Sequence, residues 1–227
     1  MSSVNAGNSK IDVDGLLQLA REKSIDGRKA LLRAISDLFE GRSEELNERE
    51  TTLMHAILHQ LVSDTEKEVR KAVAEQFADS QYISADIVRE LANDDIEVAF
   101  SVLKKSSLLR DPDLIEVIRN RTFEHQLAVA QRESISASVS GALVETENES
   151  VVVALLNNSG AEISRKTREY LVDESERVDT FQDPLLRRSD LEPDLAQKMY
   201  VWVSAALRRH ILAEYDLDQD VVDDLLE

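Results

Sequence analysis

Apolar residues recur along this chain at three- and four-residue intervals, the spacing that gathers them on one side of a helix. Val13, Leu16, Leu17 and Ala20 form the first such stripe, with Asp12 as its cap. Arg28, Leu31, Leu32, Ile35 and Phe39 carry a second stripe after Asp26, and Gly41 stands where a helix is expected to stop. Asn47 with Glu50 reads as a capping-box variant ahead of a third stripe, Met54, Ile57, Leu58 and Leu61. These three helices, within residues 11–63, are expected to pack as an opening layer. Residues 1–10, MSSVNAGNSK, show no such pattern and are expected to be disordered.

From residue 64 to 180 the helical pieces become shorter and recur every 26 to 29 residues. Val73-Ala74, Val102-Leu103, Val129-Ala130 and Leu155-Leu156 hold equivalent places in successive first helices. Leu91, Ile118, Leu143 and Leu171 recur in second helices, whose caps are expected at Ser84, Asp111 before Pro112, Ser136 and Ser164. Each unit is a helix, a tight turn and a second helix, with too wide an apolar stripe to leave in water. Stacking the units lets each cover its neighbour, so the pattern predicts an all-α chain built as a quasi-linear repeat array, an α-solenoid. VVVALL at 151–156 could be a strand by its β-branched content, but no alternating partner exists elsewhere, which favours helix.

After residue 180, FQDPLLRRSDLEPD holds two of the three prolines and reads as a linker. Leu195 to about Tyr215 reads as one long packed helix, apolar on most sides through Met199, Tyr200, Trp202, Val203, Leu207 and Ile211. Residues 216–227 read as an acidic tail ending in VVDDLLE, an unfinished amphipathic pattern expected to continue in a longer chain.

The run from DPDLIEVIRNRTFEHQLAVAQRES through GALVETENESVVVALLNNSGAEISRKTREYLVDES, followed by PLLRRSDLEPDLAQKMYVWVSAALRRHI, resembles an alphaproteobacterial family of uncharacterised HEAT-like helical-repeat proteins. The resemblance extends over roughly residues 28–215 and includes NERETTLMHAILHQLVSDTEKEVRKAVAE and LANDDIEVAFSVL. It implies a HEAT-like all-helical array in a bacterial cytoplasmic protein, and it brings no activity and no catalytic residue.

Composition narrows the chemistry. With 45 acidic against 27 basic residues the net charge is −18, and there is no cysteine. Disulfide frameworks, thiolate metal sites and cysteine nucleophiles are thereby excluded. No signal-like or membrane-spanning run appears, so a cytoplasmic protein with no membrane partner is expected. The charge is uneven: residues 64–100 hold four basic and ten acidic groups, whereas 101–138 hold six and five, and 181–210 hold five and four. Arg132, Arg187, Arg188, Arg208 and Arg209, with Lys104 and Lys105, fall in these near-neutral bands. They could line a surface for an anionic partner segment, a nucleotide or a phosphate compound; the plainer reading pairs them with nearby acids. A continuous basic track for nucleic acid is lacking.

Trp202 beside this cluster reads as a core residue or a partner anchor. His55 and His59, four apart with Glu48 and Glu66 on about the same side, are the one metal candidate, but Ala56 breaks the zinc-protease motif and a solvated polar flank is the plainer reading. His125 and His210 read as packing or hydrogen-bonding residues. The six glycines are isolated, so no phosphate-cradling loop exists, and no cofactor is implied. The expectation is a non-enzymatic scaffold or adaptor that binds a basic patch on another protein or peptide in grooves between second helices, with small-anion binding and metal-dependent catalysis as the alternatives.

Overall fold

The computed structural model describes residues 22, 24–42, 48–63 and 66–215. These form thirteen α-helices: α1 Ile25–Arg42, α2 Glu48–Ser63, α3 Lys67–Phe77, α4 Ala85–Ala92, α5 Ile96–Lys105, α6 Asp111–Asn120, α7 Phe123–Ala130, α8 Ala137–Val144, α9 Glu149–Leu156, α10 Arg165–Glu174, α11 Gln182–Leu186, α12 Pro193–Met199 and α13 Ala205–Glu214. A 3-10 turn, Asp179–Phe181, leads directly into α11. The only β-type pairing among the described residues is a single bridge between Ile135 and Ala161. The expected first stripe at Val13 to Ala20, the Asn47 cap, residues 1–10 and the tail from 216 lie outside the described residues.

Helix boundaries follow from local chemistry. The hydroxyls of Ser84, Ser136 and Ser164 accept from Ile87 N, Val139 N and Thr167 N, as their positions before apolar runs predict. VVVALL is helical, started by Asn148 accepting from Val151 N. Two boundaries differ from expectation. The second stripe begins at Ile25 with Ser24, not Asp26, accepting from Gly27 N, and its helix runs through Gly41 to Arg42. At α6 the cap is Arg110, whose amide donates to Asp113; Asp111 is the first helical residue, and its carboxylate accepts from Ser136 and Ser138 at the start of α8.

Odd-numbered helices stack in one row, α1 on α3, then α5, α7, α9, α11 and α13, while α2 with α4, α6 with α8 and α10 with α12 make a second row. The first row is continuous and the second is made of these three pairs, and this packing fits a helical array. The register is legible from the caps. Seven residues after the first-row caps Glu66, Asp95, Thr122 and Asn148 come Val73, Val102, Val129 and Leu155, all buried. The same count from the second-row caps Ser84, Arg110, Ser136 and Ser164 gives Leu91, Val117, Leu143 and Leu171, so Val117, with Ile118 beside it, is the true equivalent in α6.

The region after residue 180 corrects the sequence reading most. It is not a linker and one long helix. Val178 opens a further first element in which Leu185 is buried seven residues on, and Glu192 opens a second in which Met199 is buried likewise. The expected long helix breaks at Tyr200–Ser204, where Trp202 N and Val203 N both bond to Met199 O and the Ser204 hydroxyl accepts from Leu207 N to start α13. The apolar residues that seemed to surround one helix are two stripes, one on each helix, serving different rows.

Candidate interaction surface

Arg132 stands ten residues after the cap of α7, and its guanidinium turns back onto α5. It donates to the carbonyls of Leu103 and Ser106, the latter at 2.7 Å. These are terminal carbonyls of a helix, which have no acceptor role inside it and need an outside donor. Asn158, at the same count in α9, donates to Ala130 O at 2.9 Å and Arg132 O at 2.7 Å. Arg188, at the same count after Val178, reaches Leu156 O, Asn158 O and Ala161 O, the last at 2.8 Å. Leu186 O is met in turn by Tyr215 Oη at 2.8 Å and His210 Nε2 at 3.2 Å. A polar ladder therefore runs along the first row, each rung closing the preceding helix. Gln76 makes the corresponding reach from α3 to Ser36 Oγ on α1 at 2.8 Å, while Lys105 at this count is exposed.

The candidate anion-binding arginines separate on this basis. Arg132 is buried, and burial lowers its guanidinium pKa against the opposing pull of Asp111. Arg188 is also enclosed, paired with Asp190 at 2.8 Å. Arg208 lies over the Tyr200 ring, 5.4 Å from its centroid, and donates to Val201 O. Arg187 pairs with Asp183 at 2.7 Å in solvent, and Arg209 is exposed. Arg187 and Arg188 line a cleft of about 480 Å³ with Asn157, Glu162 and Asp190, so that two carboxylates offset the two guanidinium groups there. Trp202 is half-buried, its indole N–H donating to the buried Ser175 hydroxyl at 3.1 Å.

The histidines are held apart by separate partners. His55 Nε2 bonds to Tyr82 O at 2.7 Å, whereas His59 faces Ser63 Oγ at 3.2 Å and Glu90 at 3.8 Å. Among the described residues no three metal-ligating side chains converge. His125 is buried in the α7 place where α3 and α5 carry Val69 and Val98, and it bonds to Asp94 O at 2.9 Å. Further ties between neighbouring elements are ionic: Arg70 with Asp94, Arg89 with Asp113, Arg119 with Glu145 and Arg168 with Glu192. Burial works to raise the Asp94 carboxyl pKa, but hydrogen bonds from Arg70 and the Asp95 amide outweigh it and hold that pKa below its ordinary value. Hydrogen bonds from Ser136 and Ser138 do the same for Asp111.

With these groups engaged, the outer face of the first row stands out. Five residues after the caps come Lys71, Phe100, Leu127 and Val153; Phe100 is 42% exposed, and Leu127 and Val153 are half-buried. Next to them runs a row of small residues, Ala72, Ser101, Ala128 and Ala154, and two residues after the caps stand Glu68, Glu97 and Glu124. The face is thus a shallow apolar band with a carboxylate edge, on which Glu97 is paired with Lys67 at 2.6 Å and Lys104 lies 5.7 Å from the centre of the Phe100 ring. Sequence reasoning missed it because periodicity was used to find buried positions; the same count applied to the outward positions reveals it. The second row shows charged residues outward, Asp86, Arg89, Glu90, Glu116, Arg119, Arg165 and Glu169, with Tyr170 its exposed aromatic.

No helix of the described residues is long and apolar enough to cross a membrane. No curated protein and no solved structure matches the chain. Residues 98–227, more than half of the sequence and including the rungs at Arg132, Asn158 and Arg188, match one bacterial family. The chain belongs to that family, described as uncharacterised protein conserved in bacteria (DUF2336).

Proposed function

We propose that the chain is a HEAT-like α-solenoid serving as a non-enzymatic, cytoplasmic scaffold or adaptor, and that it binds a basic segment of another protein across the outer face of its first row. The observation that carries this reading is the band of Phe100, Leu127 and Val153 beside Glu68, Glu97 and Glu124. Exposed Phe100 and the half-buried Leu127 and Val153 on successive helices offer anchors, and the carboxylate edge orients a cationic partner and speeds its approach. Small-anion binding through the basic bands has weaker support, because Arg132 and Arg188 spend their donors on backbone carbonyls.

The test is affinity capture from an alphaproteobacterial extract, followed by titration with the purified partner. Phe100→Asp is compared with Tyr170→Asp, an equally exposed aromatic on the other row. The proposal expects one partner held by wild type and Tyr170→Asp, weakened at least about tenfold by Phe100→Asp and weakened again by added salt. Undiminished binding by Phe100→Asp, or loss with Tyr170→Asp instead, overturns the choice of face.

A further inference from the structure

The outward face of the first row is uneven in charge. The place just after each cap is held by Lys67 on α3, Ile96 on α5, Phe123 on α7 and Glu149 on α9. On α3 that place supplies a cation, for Lys67 crosses to α5 and pairs with Glu97 at 2.6 Å. Further along the chain supplies none. Glu124 on α7 and Glu149 on α9 take hydrogen bonds from the hydroxyls of Thr122 and Thr180, and among the described residues neither is ion-paired. Helices α7 and α9 contain no lysine or arginine, and none occurs between Arg132 and Arg165.

The two exposed rings of this face differ in the same sense. Phe100 on α5 has the Lys104 ammonium over it, 5.7 Å from the ring centre. Phe123 on α7 is 49% exposed, and among the described residues no cation stands over it. It lies one turn from the half-buried Leu127, and α9, packed against α7, carries the half-buried Val153 at the place equivalent to Leu127. Phe123 and Glu149 thus hold equivalent places on neighbouring helices, whose axes are about 9 Å apart.

We propose that the α7–α9 part of this face receives an arginine of the partner, its guanidinium stacked on Phe123 and donating to Glu149, while apolar residues beside it lie on Leu127 and Val153. The inference rests on the reading of the first-row face as the partner site, and it fixes where the cationic contact is made and with what group. The argument is complementarity of charge. The face of a phenyl ring attracts a cation, and the unpaired carboxylates of Glu124 and Glu149 add to that attraction. Over α3 and α5 the same cation meets Lys67, Lys71 and Lys104 instead. Arginine suits this open surface better than lysine, because a guanidinium is planar and weakly hydrated and keeps its in-plane donors free when stacked, whereas an ammonium retains its water.

The probe is a fluorescein-labelled peptide of alternating leucine and arginine, titrated into the full chain and followed by anisotropy, with citrulline and lysine versions beside it. The arginine form is expected to bind at least about tenfold more tightly than the citrulline form and about threefold more tightly than the lysine form. Phe123→Leu, which keeps apolar bulk and removes the ring, is expected to weaken the arginine peptide about threefold, and Glu149→Gln to weaken it by a similar factor. Glu116→Gln on the second row makes the same change of charge and is expected to leave binding unchanged. Equal binding of the lysine form overturns the choice of a guanidinium. Indifference to Phe123→Leu overturns the stack, and a loss with Glu116→Gln as large as that with Glu149→Gln overturns the site. No preference for arginine over citrulline overturns the whole inference. The captured partner separates this inference from the reading beneath it: loss with Phe100→Asp but not with Phe123→Leu or Glu149→Gln removes the arginine site and leaves the face, whereas indifference to Phe100→Asp counts against the face itself.

Discussion

Single side chains carry much of the order in this array, and Arg132 shows how. Its guanidinium closes α5 by donating to two carbonyls from a buried position. Arg132→Met removes the donors and strands both acceptors, so urea denaturation is expected to show a loss of about 2–4 kcal/mol. Arg132→Lys is expected to recover little, because an ammonium lacks the planar fork that spans two acceptors. A loss well under 1 kcal/mol for Arg132→Met would mean that solvent replaces the donor freely. Gly160 makes a different demand: a Cβ there would lie 1.8 Å from Glu133 O, beside the bridge of Ile135 with Ala161. Gly160→Ala is expected to cost about 1–3 kcal/mol in the same assay, through forced separation of the two turns. At this scale the sequence was legible where chemistry is local. Ser84, Ser136 and Ser164 cap as read, since a hydroxyl before an apolar run meets amides two and three residues away. Arg132 and Arg188 were misleading because a charge was read as a surface group, and their acceptors lie 26 to 32 residues back.

Between elements, the ties are charged and therefore respond to pH. Asp111 links α6 to the start of α8 through Ser136 and Ser138, each at 2.6 Å, and these hydrogen bonds hold its carboxyl below the ordinary range. Asp94 and Glu192 are depressed in the same direction, with Arg70 and Arg168 as donors. A carboxylate lowered in the folded state contributes its stabilisation in full above the unfolded value. That contribution fades as pH falls through the folded value, so it is lost below about pH 4. Melting temperature is expected to fall steeply below that point, and Asp111→Asn to flatten part of the fall while lowering stability at neutral pH. Equal acid slopes for the two proteins would contradict the assignment. Helix existence was legible from periodicity up to residue 180, but not for α11, which lies in the stretch read as a linker. The break at Tyr200–Ser204 was hidden, because the stripes of α12 and α13 follow one another without a proline or glycine and merge into one all-round apolar pattern.

At the scale of the described molecule, a continuous first row and a paired second row fit a helical array, and growth in one direction is what the proposed solenoid requires. The all-helical packing was readable in outline, because stripes at helical spacing that no single helix can bury must be covered by neighbouring helices. Its extent was underestimated, since 181–215 reads as a linker and one long helix, while Leu185, Met199 and Ile211 stand buried seven residues after Val178, Glu192 and Ser204. The outward face was not readable, because exposure of Phe100 depends on which neighbours fail to cover it. The absence of native cysteine makes the order directly measurable. With spin labels on cysteines introduced at Lys71 and, in turn, Leu127, Val153 and Arg209, pulsed electron resonance reads the distances along the first row. At about 9 Å per neighbouring helix the separations should rise in that order, from roughly 18 to 27 to 45 Å before curvature shortens the last. A Lys71 to Arg209 distance equal to or shorter than that from Lys71 to Val153 would show the helices closing into a compact bundle, and the array would be wrong.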